Sequence, residues 1–271
     1  DAPNGMTFRL IAVAGVVWAL VFAWPLFKNV PDVSTSVRAR ASFFAAYGEL
    51  FRTVRGVYRD QRPTFWFLIS SAVFRDGLSG VFAFGAIIGS AAFGFSGLEM
   101  LIFGIAANLV AGIATIVVGR FDDRFGPRRV IIVALTTLLI AGSAVVALHS
   151  LGPVVYWIGG LILCCTVGPA QSAARSYLAR RIPAGHESEI FGLYATTGKA
   201  ASFMAPAMWT LFITILGATI WGTLGILLVV LAGLVLFITL GRGEAEHGSA
   251  LHQEGHAFLP AEEIFDAEVG Q

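Results

Sequence analysis

Two ionisable residues stand inside long apolar runs: Asp76 in SSAVFRDGLSGVF and Lys199 in ATTGKAASFMAP. A carboxylate and an ammonium in such surroundings can hold one another, take up and release a proton, or pair with the charges of a small solute. Asn108 and Gln171 are further polar side chains inside apolar stretches, and Arg75 adjoins Asp76 at about 100° around a helix. Nothing in this set resembles a catalytic constellation. No nucleophile elbow, phosphate loop or zinc-ligand string occurs, so neither an enzyme nor a cofactor is expected. Cys164 and Cys165 are adjacent within an apolar run and are expected to pack rather than to form a disulfide or a metal site.

The elements that carry these residues follow from composition. Of 271 residues 56% are hydrophobic and only 13% are Asp, Glu, Lys or Arg, with a mean hydropathy of +0.78. Soluble domains hold about twice that share of charge. The apolar residues come in blocks, at 8–27, 65–88, 98–118, 130–148, 154–173, 190–216 and 219–240. Each is long enough, at about 1.5 Å per residue, to cross a ~30 Å hydrocarbon core as a helix. Short alternating strands, which a barrel requires, are absent. The sequence therefore predicts an all-α polytopic membrane protein. The first block is too long for a cleavable signal and lacks an A-x-A site. A chain that opens on Asp1 is expected to be a piece of a longer protein or a truncated form that must associate.

Orientation follows from Lys and Arg in alternate connections. The first, 28–62, holds Lys28, Arg38, Arg40, Arg52, Arg55, Arg59 and Arg62, and the next holds none. Residues 119–129 hold four arginines, the turn at 150–153 none. Arg175, Arg180 and Arg181 follow the fifth block, the turn at 217–218 has none, and Arg242 follows the last. The N-terminus is expected outside and the C-terminus in the cytoplasm, with the bacterial inner membrane as the expected location. Asp76 and Lys199 then lie about eleven and nine residues into their spans, within roughly 5 Å of the same depth. A charge there costs at least about 2.5–3.5 kcal/mol, so each should face a cavity or a partner.

The connection GRFDDRFGPRR, residues 119–129, concentrates charge in an otherwise apolar chain. Gly119, Asp123, Arg124, Gly126 and Arg128 stand in the order G-x-x-x-D-R-x-G-x-R. Gly119 lets a helix end approach a neighbour, Gly126 permits a tight turn, and Asp123 can accept from a helix N-terminus or pair with an Arg. Such a latch would hold one conformation closed on the cytoplasmic side. Gln171 and Arg175, four apart, share a helix face where the fifth span meets the cytoplasm; Gly168-Pro169 should distort that helix. Arg175 is expected as a cytoplasmic gate or anchor, and Asn108 as an interhelical hydrogen-bonding residue.

The 119–129 string resembles the loop signature of the major facilitator superfamily. RDGLSGVFAFGAIIG (75–89), VGPAQSAARSYLARRIP (167–183) and FGLYATTGKAASFMAP (191–206) are more specific. With the loop they resemble the family named for the yeast autophagy-related vacuolar amino-acid effluxer, and its bacterial members. The resemblance implies twelve helices in two halves, of which this chain matches the sixth helix, the central loop and helices seven to twelve. The expected domains are a transmembrane helix in 1–27, a cytoplasmic central loop in 28–62, a six-helix bundle in 63–242 and an acidic tail in 243–271. It also implies a secondary active transporter that moves a small polar solute, possibly amino acids, by alternating access. The competing expectation is a non-transporting half-size protein that dimerises or regulates a partner. Asp76, Lys199, Gln171, Arg75 and Asn108 are the candidate substrate or proton-coupling residues. The expected partners are membrane lipid, the missing N-terminal half or a second copy, and the solute. In the resemblance, the first, fourth and seventh blocks are lipid-facing supports.

Within 28–62, Phe44, Tyr47, Phe51, Val54 and Tyr58 recur at helical steps beside Arg52, Arg55 and Arg59. That is a basic amphipathic helix, expected to lie on lipid rather than on nucleic acid. His247, His252 and His256 fall in the acidic tail, where a solvated, disordered segment is expected.

Overall fold

A computed structural model describes residues 6–29, 48, 52, 54–59, 61–182 and 186–240. Among them helix is the regular structure and the chain makes an all-α polytopic membrane protein, with seven candidate spans long and apolar enough to cross a bilayer. The first fifty residues form a unit of their own. It holds α1 (Met6–Asn29), whose Trp18, Trp24 and Phe27 are exposed, with Trp18 and Phe22 in ring contact at 4.6 Å.

The second unit contains α2 (Arg62–Phe93), α3 (Gly97–Phe125), α4 (Pro127–Ala147), α5 (Pro153–Ala179), α6 (Glu187–Ala201), α7 (Met204–Leu216) and α8 (Gly222–Leu240). Each boundary has a local cause. Gly94, at φ 71°, ends α2 in the left-handed region, which costs a glycine least. Ser96 opens α3 with a capping box: its hydroxyl accepts from the Glu99 N–H while the Glu99 carboxylate accepts from the Ser96 N–H at 2.8 Å. Glu99 is thus an exposed cap. Gly126, at φ 84°, makes the one-residue turn from α3 into α4, as its place in the loop predicts.

The run 190–216, expected as one span, is one candidate span made of two helices, broken at Ser202 and Phe203. Pro206 explains the break, since it has no N–H for the Ser202 carbonyl and its ring crowds that carbonyl. The distortion expected at Gly168-Pro169 does not end a helix: α5 runs as one helix from Pro153 to Ala179. Of the amphipathic segment, residues 54–59 are helical, with Val57 buried and Tyr58 exposed. Phe44, Tyr47 and Phe51, like the tail histidines, lie outside the described residues.

The core sits where α2 crosses α8 and where α4 packs on α5, around Phe74, Leu78, Ile131, Leu135, Leu138 and Val230. Glycines set how closely the helices pack, as is usual where lipid offers no hydrophobic drive for association. At Gly233 a Cβ would stand 2.6 Å from the backbone nitrogen of Phe74. Burial is uneven: the most apolar stretches of α4 and α8 are 50% and 56% buried, against 11% for α3 and 11% for α6–α7. The outward sides of α4 and α8 are apolar, with Val133 and Ile140 on one and Leu228, Leu231 and Val235 on the other.

Gly233→Ala should therefore force α2 and α8 apart, a small-to-large change costing about 1–3 kcal/mol. Thermal unfolding in detergent should show a lowered Tm, whereas Gly112→Ala, with no atom within 4 Å of the new methyl, should leave it unchanged.

Candidate functional site

The break between α6 and α7 exposes backbone N–H groups inside the membrane span, where water is not available to satisfy them. Phe203, at the N-cap of α7, offers no side-chain acceptor. Asp76 supplies one from α2: its Oδ2 accepts from the Ala205 N–H at 2.5 Å, and Met204 N–H lies alongside. An anion at a helix N-terminus is also favoured by the helix dipole. Asp76 is buried, with 6% of its surface exposed, yet its charge has a built partner.

Beside it opens a cavity of about 320 Å³. Arg75, Asp76, Ser79 and Phe84 of α2 line it with Gln171 of α5, Gly198 and Lys199 of α6, and Ser202 and Pro206 at the break. Arg75 is held rather than loose. Its Nη1 donates to the Tyr194 carbonyl at 3.1 Å, and its guanidinium lies 3.8 Å from the centre of the Tyr194 ring. Gly198 makes room for it, since a Cβ there would stand 3.1 Å from Nη1. Phe84 closes one wall by stacking on Trp209 at 4.5 Å.

Four of the five sequence-predicted residues, Arg75, Asp76, Gln171 and Lys199, thus meet in one cavity. The Asp76–Lys199 pair, one of the alternatives the sequence left open, does not form. The carboxylate is taken by α7, and Lys199 is exposed to the cavity with no ion-pair partner among the described residues. Two cations and one already engaged anion give the cavity a net positive balance. Asn108 lies elsewhere, exposed on α3, where its Nδ2 donates to the Gly104 carbonyl of the same helix at 2.8 Å. The interhelical bond expected of it is not made among the described residues.

At the Arg-rich end the predicted latch residues separate. Arg180, which ends α5, reaches Asp123 Oδ1 at 3.4 Å and Asp122 Oδ2 at 3.9 Å. Asp123 is exposed, so that pair is worth about 0–1 kcal/mol. The buried member is Asp122, which the motif does not include, and its Oδ1 has no hydrogen-bond partner. Arg124 lies over the Phe125 ring at 5.6 Å, and the buried Nε of Arg128 is unpartnered. A Cβ placed on Gly119 would meet no atom of the described residues within 4 Å, so the close approach expected of Gly119 is not made among them. Arg175 is exposed, one turn beyond Gln171, near enough to act electrostatically on the Tyr194 hydroxyl. Tyr194 and Arg180 gave little signal in the sequence: one is an aromatic in an apolar span, the other one basic residue among several.

The family model described as "Vacuole effluxer Atg22 like" matches residues 3–248. A relative from Bacillus subtilis (strain 168), the uncharacterized MFS-type transporter YxiO, is 24% identical over 236 residues, covering 87% of this chain and 53% of its own length. Autophagy-related protein 22 of Cryptococcus neoformans var. neoformans serotype D (strain B-3501A) is 27% identical over 268 residues, 91% of this chain and 48% of the relative. The chain spans about half the length of the curated relatives it matches. No solved structure matches it.

Removing the acceptor at Asp76 should expose its structural share. Asp76→Ala leaves the Ala205 N–H unsatisfied and should cost about 1–3 kcal/mol. Asp76→Asn keeps a neutral acceptor and should cost less, and the two melting temperatures in detergent give the comparison.

Proposed function

The chain belongs to the Atg22-like vacuole effluxer family, and on that premise we propose that it works as the C-terminal half of a secondary active transporter. The transporter moves a small polar solute across the membrane by alternating access, and amino acids are the first candidates. The observation that carries this reading is the cavity beside the broken helix. Charges at this depth are costly, and a polar cavity holding Arg75, Gln171 and an unpaired Lys199 is the arrangement a solute pathway requires. An interrupted helix at such a cavity is the usual construction of a transporter site. The solute carboxylate would pair with Lys199 and the Arg75 guanidinium, while Gln171 and Ser202 supply neutral hydrogen bonds. A solute ammonium would compete with the α7 N–H groups for Asp76. That competition, or protonation of Asp76, would loosen the start of α7 and link occupancy to conformation.

The thin burial of α3, and of α6–α7 beside the cavity, supports a covering partner, either an N-terminal six-helix half or a second copy. The basic connections support an orientation with the N-terminus outside and the C-terminus in the cytoplasm of a bacterial inner membrane. Asp122, Asp123 and Arg180 would then lie at the cytoplasmic mouth as one side of a gate. The family and the cavity argue against a catalytic role, and the charged cavity argues against a half-size protein that only regulates a partner.

The test is uptake of labelled amino acids by proteoliposomes holding the complete transporter, with and without a proton gradient. Lys199→Gln should lower initial uptake at least about tenfold, the loss of roughly 1.4 kcal/mol or more, with Tm retained; Arg75→Gln should lower it as far, with some loss of Tm from its contacts to Tyr194. Asp76→Asn combined with Lys199→Gln should fold and not transport; robust uptake by that double variant would overturn the reading. Asp123→Asn should shift cysteine accessibility between the two membrane sides without unfolding the protein, and unchanged accessibility would leave the loop charges as topology anchors. This chain reconstituted alone as a monomer should transport nothing.

A further inference from the structure

A second hollow lies on the other side of α5 from the solute cavity. Pro169 lines it and Gln171 lines the cavity, two residues apart and so about 200° around the helix. It is a groove of about 480 Å³ between the end of α3 and the start of α4. Phe121 and Phe125 form one wall, their rings stacked at 6.0 Å and 13°; Val133 and Ala134 form the other. The walls are almost wholly apolar, and Phe121, Phe125 and Val133 are exposed. Arg129 stands at its rim and is exposed.

Charge at this end is not internally balanced. The connection carries Arg120, Arg124, Arg128 and Arg129 against Asp122 and Asp123. Both carboxylates turn to Arg180 on α5, and none of the four arginines has a carboxylate partner among the described residues. Helix interfaces pack at crystal-like density, so an apolar groove of this size facing hydrocarbon fills with a hydrocarbon chain. An unpaired guanidinium at the interface end of that groove selects the headgroup. We propose that this groove is a binding site for one anionic phospholipid, with an acyl chain along Phe121, Phe125 and Val133 and the phosphate paired with Arg129. The site is separate from the solute cavity and rests on the membrane-spanning fold, not on transport.

Native mass spectrometry of the full chain, delipidated in neutral detergent and titrated with phosphatidylglycerol or phosphatidylcholine, tests it. One phosphatidylglycerol should be retained at concentrations where phosphatidylcholine is not. Arg129→Gln and Val133→Trp, which fills the groove from an exposed position, should each weaken retention about tenfold. Arg120→Gln, at another arginine of the same connection, and Ile158→Trp, at an equally exposed position outside the groove, should leave it unchanged. Melting temperatures without lipid check that all four variants are folded. Equal retention of the two lipids would overturn the headgroup assignment. Equal loss in Arg120→Gln and Arg129→Gln would reduce the contact to diffuse charge, and full retention in Val133→Trp would take the chain out of the groove; either result overturns the site. Such a failure leaves the solute reading standing, because no residue changed here lines the solute cavity.

Discussion

A helix that breaks inside a hydrocarbon layer leaves backbone N–H groups with no water to turn to, and the Asp76 carboxylate on the start of α7 answers that need. Much of the site follows from this one hydrogen bond. It fixes α2 against α7, and the α7 amides take the place at the carboxylate that a cation would otherwise fill. Lys199 is thereby left free. An Asp–Lys bridge would have filled the same space with an internally satisfied pair and closed the cavity to any third party.

Arg75 is ordered by α6, on the other side of the break. A guanidinium in an apolar bundle needs acceptors, and α6 provides the Tyr194 carbonyl and ring face in a position that Gly198 leaves open. Adjacent residues of α2, Arg75 and Asp76, are thus bound to the two sides of one interruption. The close α2–α8 crossing, with Gly233 against the Phe74 backbone, holds α2 itself in place behind them. A movement at the interruption would change the partners of both charges together.

At the Arg-rich end the same economy of partners operates with a different outcome. A single arginine from α5 draws both aspartates of the α3–α4 connection, so the four arginines of that connection are left without a carboxylate among the described residues. The loop is therefore an internal tether between helix ends and, at once, a positive surface beside an apolar groove.

The sequence by itself determined the class of protein. Blocks of about twenty apolar residues leave helices as the spanning form, and glycines at 94, 126 and 217, each with positive φ, mark ends that the composition makes legible. Arg75, Asp76, Gln171 and Lys199 were readable as one site because charge and amide groups deep in a membrane have few places to go. Only the tertiary structure decided who partners whom. Nothing local distinguishes Lys199 from the α7 amides as the partner of Asp76, for the contact spans 129 residues and depends on where Pro206 breaks the helix. Asn108, as polar as Gln171, stays outside the site because its face of α3 turns away, and a single polar residue carries no sign of which way its helix faces. Asp122 rather than Asp123 is buried for the same reason. Adjacent residues of a helix differ by about 100°, and which of them points inward is set by the packing of α3 on α5 rather than by the residues themselves.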